Sequence, residues 1–309
     1  RVVRLNLTKK QLKLLRHVAA AKEISVMELA HATGTHPTYM PRTLKDLESK
    51  GFTKTEKKGN TKTVSMADTQ HASLLRKLIL DQPHLNLDVL SGKALSILAA
   101  INCLNLKTWD EIEESSGVSY LTVQKHITSF KEIGLVQKKQ TYIISPRFQI
   151  IKEIIEAFQD YTHRREAERL AGDAVVKWGC GQCFLLETEK ILGLQATGIT
   201  AFPWYGAQFI TDKNLYLYQK KKKKLTLEDH LLYHVISEKT SNTLPLLITW
   251  RLNRNKLDEE KLSEKAYRYK VDHVIDSILD YMETEGLKQA EFLPDWAEFT
   301  NRYKEYSDD

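Results

Sequence analysis

Cysteine is scarce in this 309-residue sequence: only Cys103, Cys180 and Cys183 occur, too few for the disulfide framework of small secreted domains. No apolar run approaches the roughly 18 residues that a membrane span needs, and no signal-type apolar stretch follows Arg1. These absences lead us to expect an intracellular, cytoplasmic chain with no membrane partner. Catalytic signatures are missing as well. There is no Gly-x-Ser-x-Gly elbow, no Walker-type phosphate loop and no His-Glu-x-x-His pair. A nucleotidyltransferase needs a Gly-Ser or Gly-Gly turn followed by paired carboxylates that hold Mg²⁺. Gly179-Cys180-Gly181 has no Asp-x-Asp after it, and Thr188 and Lys190 beside Glu187 and Glu189 suggest a helix start instead. We therefore expect neither an enzyme nor a cofactor.

What is present is an ordinary globular composition, 42% hydrophobic, at a length suited to two or three domains of roughly 100–150 residues. The net charge of +6 is unevenly spread: residues 1–80 hold 16 Lys/Arg against 6 Asp/Glu, residues 81–163 hold 8 against 10, and residues 164–309 hold 22 against 24. The whole positive excess lies in the first segment, where a polyanion would be drawn.

Along that segment, Leu12, Leu14, Leu15, Val18 and Ala19 recur at helical spacing behind Thr8, a good N-cap. Ser25 and Glu28 form a capping box for a short second helix ending near Thr33, and Gly34 permits a tight turn. A third helix carries Met40, Leu44 and Leu47 inward and stops at Lys50-Gly51; Thr38 is its preferred cap over Thr35, because Pro41 then falls in the first turn. After Gly51 the period changes to two, and Phe52–Lys58 and Thr61–Met66 flank Gly59-Asn60 as a β-hairpin.

Helix, helix, turn, helix, hairpin is the order of a winged helix-turn-helix. Over Glu28–Met66, and especially at Gly34, Arg42, Leu44, Leu47, Gly51 and the basic hairpin, the sequence resembles the MarR-like winged-helix regulators, with Pro37 and Pro41 in place of the usual small polar residues. The resemblance implies a transcription regulator that binds double-stranded DNA through the exposed face of the third helix, His36, Thr38, Tyr39, Arg42, Thr43 and Lys45, and through the wing, Lys57, Lys58, Asn60 and Lys62. Arg42 offers a planar fork suited to guanine, and the lysines suit phosphates.

A second copy follows at an offset of 83 residues, matching Glu28 with Glu111, Gly34 with Gly117, Leu44 with Ile127, Leu47 with Phe130 and Gly51 with Gly134. Its hairpin, Val136–Ile144, is shorter, and its third helix, capped by Ser119 and bearing Gln124 and Lys125, carries less charge. Pro146 then opens a long helix with a stripe of Phe148, Ile151, Ile154, Ile155 and Phe158. The stripe suits packing on the second domain or, as such helices do in MarR-like proteins, a homodimer seam.

The expected architecture is mainly α with small β wings: tandem winged helix-turn-helix domains at 1–80 and 81–171, followed by an α+β C-terminal domain at 172–309. In the last we expect strands at Cys183–Leu186, Gln208–Tyr218 and Leu244–Leu252, a helix at Leu227–Glu238, and one or two helices within Asp258–Glu285. Its layout around Glu187–Leu194 and Arg251–Asp258 resembles the C-terminal half of abortive-infection antitoxin regulators, which have a nucleotidyltransferase-like scaffold. Tandem winged helices also serve plasmid or viral replication initiators and antitoxin-type regulators, and the second copy or the C-terminal domain offers a protein-partner surface. Cys180-Gly181-Gln182-Cys183 has half the spacing of a zinc site, but one pair supplies two ligands of four and His163 is remote in sequence, so no metal is expected. Lys220–Lys224 suits a solvated loop, with a phosphate-contacting patch as the alternative.

Overall fold

The computed structural model describes residues 5–219 and 223–307. The fold is mainly helical with small antiparallel sheets, and no described helix is long and apolar enough to cross a membrane. The chain divides into two compact units, Arg1–Glu166 with Cys180–Gln182, and Ala167–Gly179 with Cys183–Asp309.

In the first unit, α1 (Lys9–Ala20) starts at a Thr8/Gln11 capping box and buries Leu12, Leu14, Leu15, Val18 and Ala19. A two-residue strand β1 (Ile24–Ser25) leads into α2 (Val26–Thr33), whose Ser25/Glu28 capping box satisfies the first-turn amides as the sequence suggests. Gly34 ends α2 in the left-handed conformation. The start of the third helix differs from expectation. A 3₁₀ turn over Pro37–Tyr39 precedes α3 (Met40–Ser49), and the His36 ring, not Thr38, accepts from the Thr38 amide at 3.4 Å. A helix continuous from Pro37 would need the residue-41 amide to donate to the Pro37 carbonyl; Pro41 has none, and the Met40 amide takes that carbonyl in a tighter 3₁₀ turn.

Next, β2 (Thr53–Lys58) and β3 (Thr61–Met66) form the hairpin, with β3 central between β1 and β2. Its tip is Gly59-Asn60, with Gly59 at φ 60° in the first central position, where a II′ turn wants glycine. A helix that sequence periodicity left unmarked, α4 (Gln70–Asp81), follows.

The same order then repeats: α5 (Ala94–Cys103), α6 (Trp109–Ser116), α7 (Tyr120–Glu132), β4 (Val136–Lys138), β5 (Tyr142–Ile144) and α8 (Gln149–Leu170). The two copies agree in detail. Helix α6 carries its own capping box, Gly34 and Gly117 share φ 65°, and Gly51 and Gly134 share φ 72°. The inward positions Met40/Val123, Leu44/Ile127, Leu47/Phe130 and Phe52/Leu135 are all buried. Ser119 stands at the start of α7 but makes no capping bond to the backbone; its hydroxyl meets that of Thr122.

Helix α8 is buried in its own chain. Ile151, Ile154, Ile155 and Phe158 are almost wholly covered. Phe158 packs edge-on against Phe52 and stacks on His71, which also meets Tyr161. The apolar stripe, expected either to pack within the chain or to form a homodimer seam, therefore joins the first repeat to the rest of the unit, and its five residues are covered within the chain.

The second unit holds a four-stranded antiparallel-paired sheet of β6 (Val175–Cys180), β7 (Cys183–Thr188), β8 (Gln195–Ala196) and β9 (Asn214–Tyr218), in the order β6-β7-β9-β8. Alternation along the strands splits its faces. Leu185, Leu215 and Leu217 join a large core with α9 (Leu227–Glu238), α10 (Leu244–Leu252), α11 (Glu259–Arg268), α12 (Asp272–Glu283) and α13 (Trp296–Ser307). Phe184, Leu186 and Tyr216 pack with Ala167 and Leu170 on the other face.

Three expectations for this unit are corrected. Leu244–Leu252 is a helix and not a strand: Pro245 fits a first helical turn, and a segment apolar on every side carries no period to tell the two apart. The strand ending at Tyr218 begins only at Asn214, and the segment before it is irregular with Ile210 fully exposed. Thr188 starts no helix; it closes β7, fully buried, and its hydroxyl donates to Asp173 at 2.7 Å.

Candidate nucleic-acid interface

The third helix of the first repeat is fixed from behind. Gln11 of α1 donates to the Asp46 carboxylate at 2.6 Å, and the buried Lys50 ammonium donates to it at 2.8 Å. This ties α3 to α1 and neutralises Asp46, one of the two acidic groups on the helix. His36, Thr38, Tyr39, Arg42 and Lys45 are exposed and Thr43 half-exposed; Tyr39 keeps 67% of its surface open. The Thr43 hydroxyl donates to the Tyr39 carbonyl at 3.1 Å, and His36 and Tyr39 meet edge to face. Arg42 and Lys45 have no acidic partner among the described residues. The six positions named from sequence thus lie on one stretch from the turn into α3, with two free cations.

The β2–β3 hairpin sorts its lysines by strand register. Lys57 stands directly opposite Lys62, on the same face as Thr55 and the buried Val64. Neither lysine has an acidic partner among the described residues, so two like charges face each other across a ladder where they repel. Lys58 is on the other face, with Thr61 and Thr63 beside it, and its ammonium reaches Glu23 at 2.6 Å. That hydrogen bond holds the Lys58 pKa above and the Glu23 pKa below their ordinary values. Lys54 is likewise engaged by Asp68 at 2.9 Å. Asn60 is exposed at the tip. Charge available to a polyanion therefore rests on Lys57 and Lys62 more than on Lys58, a distinction that sequence spacing does not carry.

The second repeat presents another surface. Where Thr38 stands in the first copy, Leu121 is 76% exposed, and Tyr120 and Ile133 are also open. Lys125 takes the place of Arg42. Lys131 and Lys138 lie over the Tyr142 ring at 5.3 and 5.2 Å.

Residues 192–307, all in the second unit, are similar to a family described as HVO_2833_C, C-terminal. No curated protein matches the chain. Within the matched span, polar groups are buried around the start of α9. Glu228 accepts from the Asp258 amide at 3.1 Å, Asp229 binds Lys265, and the Thr197 hydroxyl meets His230 Nδ1 at 3.1 Å. Burial lowers the His230 pKa to about 4. Glu228 and Asp229 are engaged by backbone, hydroxyl and lysine partners, the pattern of a structural network.

Among the described residues no group of three or more His, Cys, Asp or Glu is placed to hold a metal. Cys180 and Cys183 are free thiols, and burial pushes the Cys183 thiol up to about 12. His163, buried, uses Nε2 on the Gly181 carbonyl at 3.0 Å. Lys220–Lys222 of the lysine run lie outside the described residues; the Lys223 carbonyl accepts from Gln195 at 2.8 Å.

Proposed function

We propose that this chain is a sequence-specific double-stranded-DNA-binding transcription regulator, built on tandem winged helix-turn-helix repeats, that reads DNA through the first repeat. The observation that carries this is the set of cations without an acidic partner among the described residues on the exposed face of α3 and on the wing, Arg42, Lys45, Lys57 and Lys62, within a segment of 16 basic and 6 acidic residues. Two lysines held opposite each other without a counter-ion favour a site that meets phosphate. The exposed start of α3, with His36, Thr38 and Tyr39 ahead of Arg42, suits the entry of a helix into the major groove.

The second repeat keeps the helix spacing and loses the basic face, which supports a spacing or protein-contact role for it. No catalytic step or cofactor is assigned to the chain. The C-terminal unit serves as a regulatory or partner domain in this proposal.

The test is a salt titration of duplex binding by the full chain, followed by fluorescence anisotropy. With about four to six phosphates neutralised per monomer, log K falls against log salt with a slope of roughly −3.5 to −5.5. A slope near zero overturns the assignment.

A further inference from the structure

A second basic concavity lies on the first unit, formed by α1 and the turn at Asn86–Asp88. It is a concavity of about 290 Å³, open to solvent, lined by Leu12 and Leu87 as well as by Lys9, Lys10, Lys13 and Arg16, with Asp88 as its one carboxylate. Helix α1 arranges these charges against its own interest. Its first turn has no acidic residue, so Lys9 and Lys10 occupy the end where the helix dipole is already positive, and Lys9 and Lys13 repel at i,i+4.

Neutralisation within the chain is slight. Lys9 meets Asp88 at 3.3 Å. Lys13 donates to the Thr33 carbonyl at 2.9 Å and Arg16 to the Leu85 carbonyl. A carbonyl fixes the direction of a cation and leaves its charge. Lys10 is exposed, with no hydrogen-bond or ion-pair partner among the described residues. Four cations against one anion, two of them oriented by backbone, around a cavity of ligand size, form an unfilled complement to an anion.

We propose that this cleft binds a phosphate group, held by Lys10, Lys13 and Arg16, the last offering a planar fork that fits phosphate oxygens. The group comes either from a small phosphate compound acting as an effector or from the backbone of bound DNA. The site stands on its own geometry and does not depend on the reading of α3 and the wing.

The experiment is isothermal titration of inorganic pyrophosphate into the full chain at chloride-matched ionic strength, with duplex binding measured in parallel, on wild type, Lys10→Gln and Lys10→Gln/Arg16→Gln. We expect saturable binding of one pyrophosphate per chain, weakened several-fold by Lys10→Gln and about tenfold or more by the pair, as for loss of charge-assisted bonds. Lys10 bonds nothing in the fold, so its substitution tests the site even where Arg16→Gln perturbs the structure. Unchanged duplex affinity in the variants identifies a free phosphate compound as the source; parallel loss of duplex affinity, with pyrophosphate competing, identifies the DNA backbone. Absence of saturable pyrophosphate binding, or binding equal in wild type and both variants, overturns the proposal. Pyrophosphate binding by a chain that binds no duplex leaves this site standing and removes the DNA assignment.

Discussion

Replacing Gly51 by alanine separates two costs that the internal repeat allows to be measured apart. Gly51 and its counterpart Gly134 follow equivalent helices, share φ 72°, and make the same closing bonds, from Gly51 to Glu48 and Phe52 to Leu47, and from Gly134 to Lys131 and Leu135 to Phe130. A Cβ at either position pays the left-handed penalty, about 1–2 kcal/mol. Only at Gly51 does it also strike a neighbour: the added atom lies 2.7 Å from Cζ of Tyr161, whereas nothing lies within 4 Å at Gly134. Tyr161 cannot yield freely, because its ring packs on His71, which is pinned by Phe52, Phe158 and a 2.8 Å bond to the Lys50 carbonyl. Overpacking of this kind costs about 1–3 kcal/mol. Gly51→Ala is therefore expected to lose about 2–5 kcal/mol and Gly134→Ala about 1–2 kcal/mol, read from urea unfolding of the full chain. Gly51→Ala in a Tyr161→Ala background returns to the smaller value relative to Tyr161→Ala alone. Equal losses at the two glycines, or strict additivity of Gly51→Ala with Tyr161→Ala, refutes the reasoning.

Arg42→Ala is expected to cost roughly 1–3 kcal/mol on the preferred duplex and to relax choice at one base position in a site-selection assay. Lys57→Ala with Lys62→Ala weakens all duplexes alike and flattens the salt slope by about 2, one unit for each lost phosphate contact, while Lys58→Ala, whose charge is already shared with Glu23, does less. Gln124→Ala with Lys125→Ala on the second repeat changes duplex affinity by less than about 0.5 kcal/mol in the same anisotropy assay. His71 titrates near 4 because burial opposes its charged form. A depressed folded pKa means stability is full above the unfolded value near 6.5 and is lost as pH falls toward 4. From pH 7.5 to 5 its share is about 2 kcal/mol, and His71→Phe is expected to remove that part of the pH dependence in urea midpoints of the first unit.

Local chemistry was legible from residues alone wherever one interaction dominates. The Ser25/Glu28 capping box, the Thr8 cap, the left-handed glycines at 34 and 51 and the Gly59-Asn60 hairpin tip each follow from a few adjacent atoms. The 83-residue offset predicted a second copy of the helix order because apolar and glycine positions repeat together, and the copied positions are buried as a set. Legibility failed where several solutions share a pattern. Leu244–Leu252 is apolar on all sides, so its period is silent, and only packing among α9, α13 and the rest of that core makes it a helix. The cap at Thr38 failed because Pro41 has no amide to give the Pro37 carbonyl, which the Met40 amide takes in a 3₁₀ turn instead.

For the candidate site, the sequence by itself determined which segment carries the positive charge, and it named the surface positions of the third helix and wing, since exposure at those spacings follows from the buried faces of α3 and the hairpin. Only the tertiary structure decided which of those charges are free. Lys58 finds Glu23 across thirty-five residues, Lys57 and Lys62 face each other with no acidic partner among the described residues, and Asp46 is claimed by Gln11 and Lys50. It also decided that the stripe of α8 is spent inside the chain, against Phe52 and His71. It likewise placed Lys9, Lys10, Lys13 and Arg16 around a cleft completed by residues seventy positions away. Helical and strand periods are set by bonds between near neighbours, whereas the pairing of charges and the covering of apolar faces depend on which distant segments the folded chain brings together.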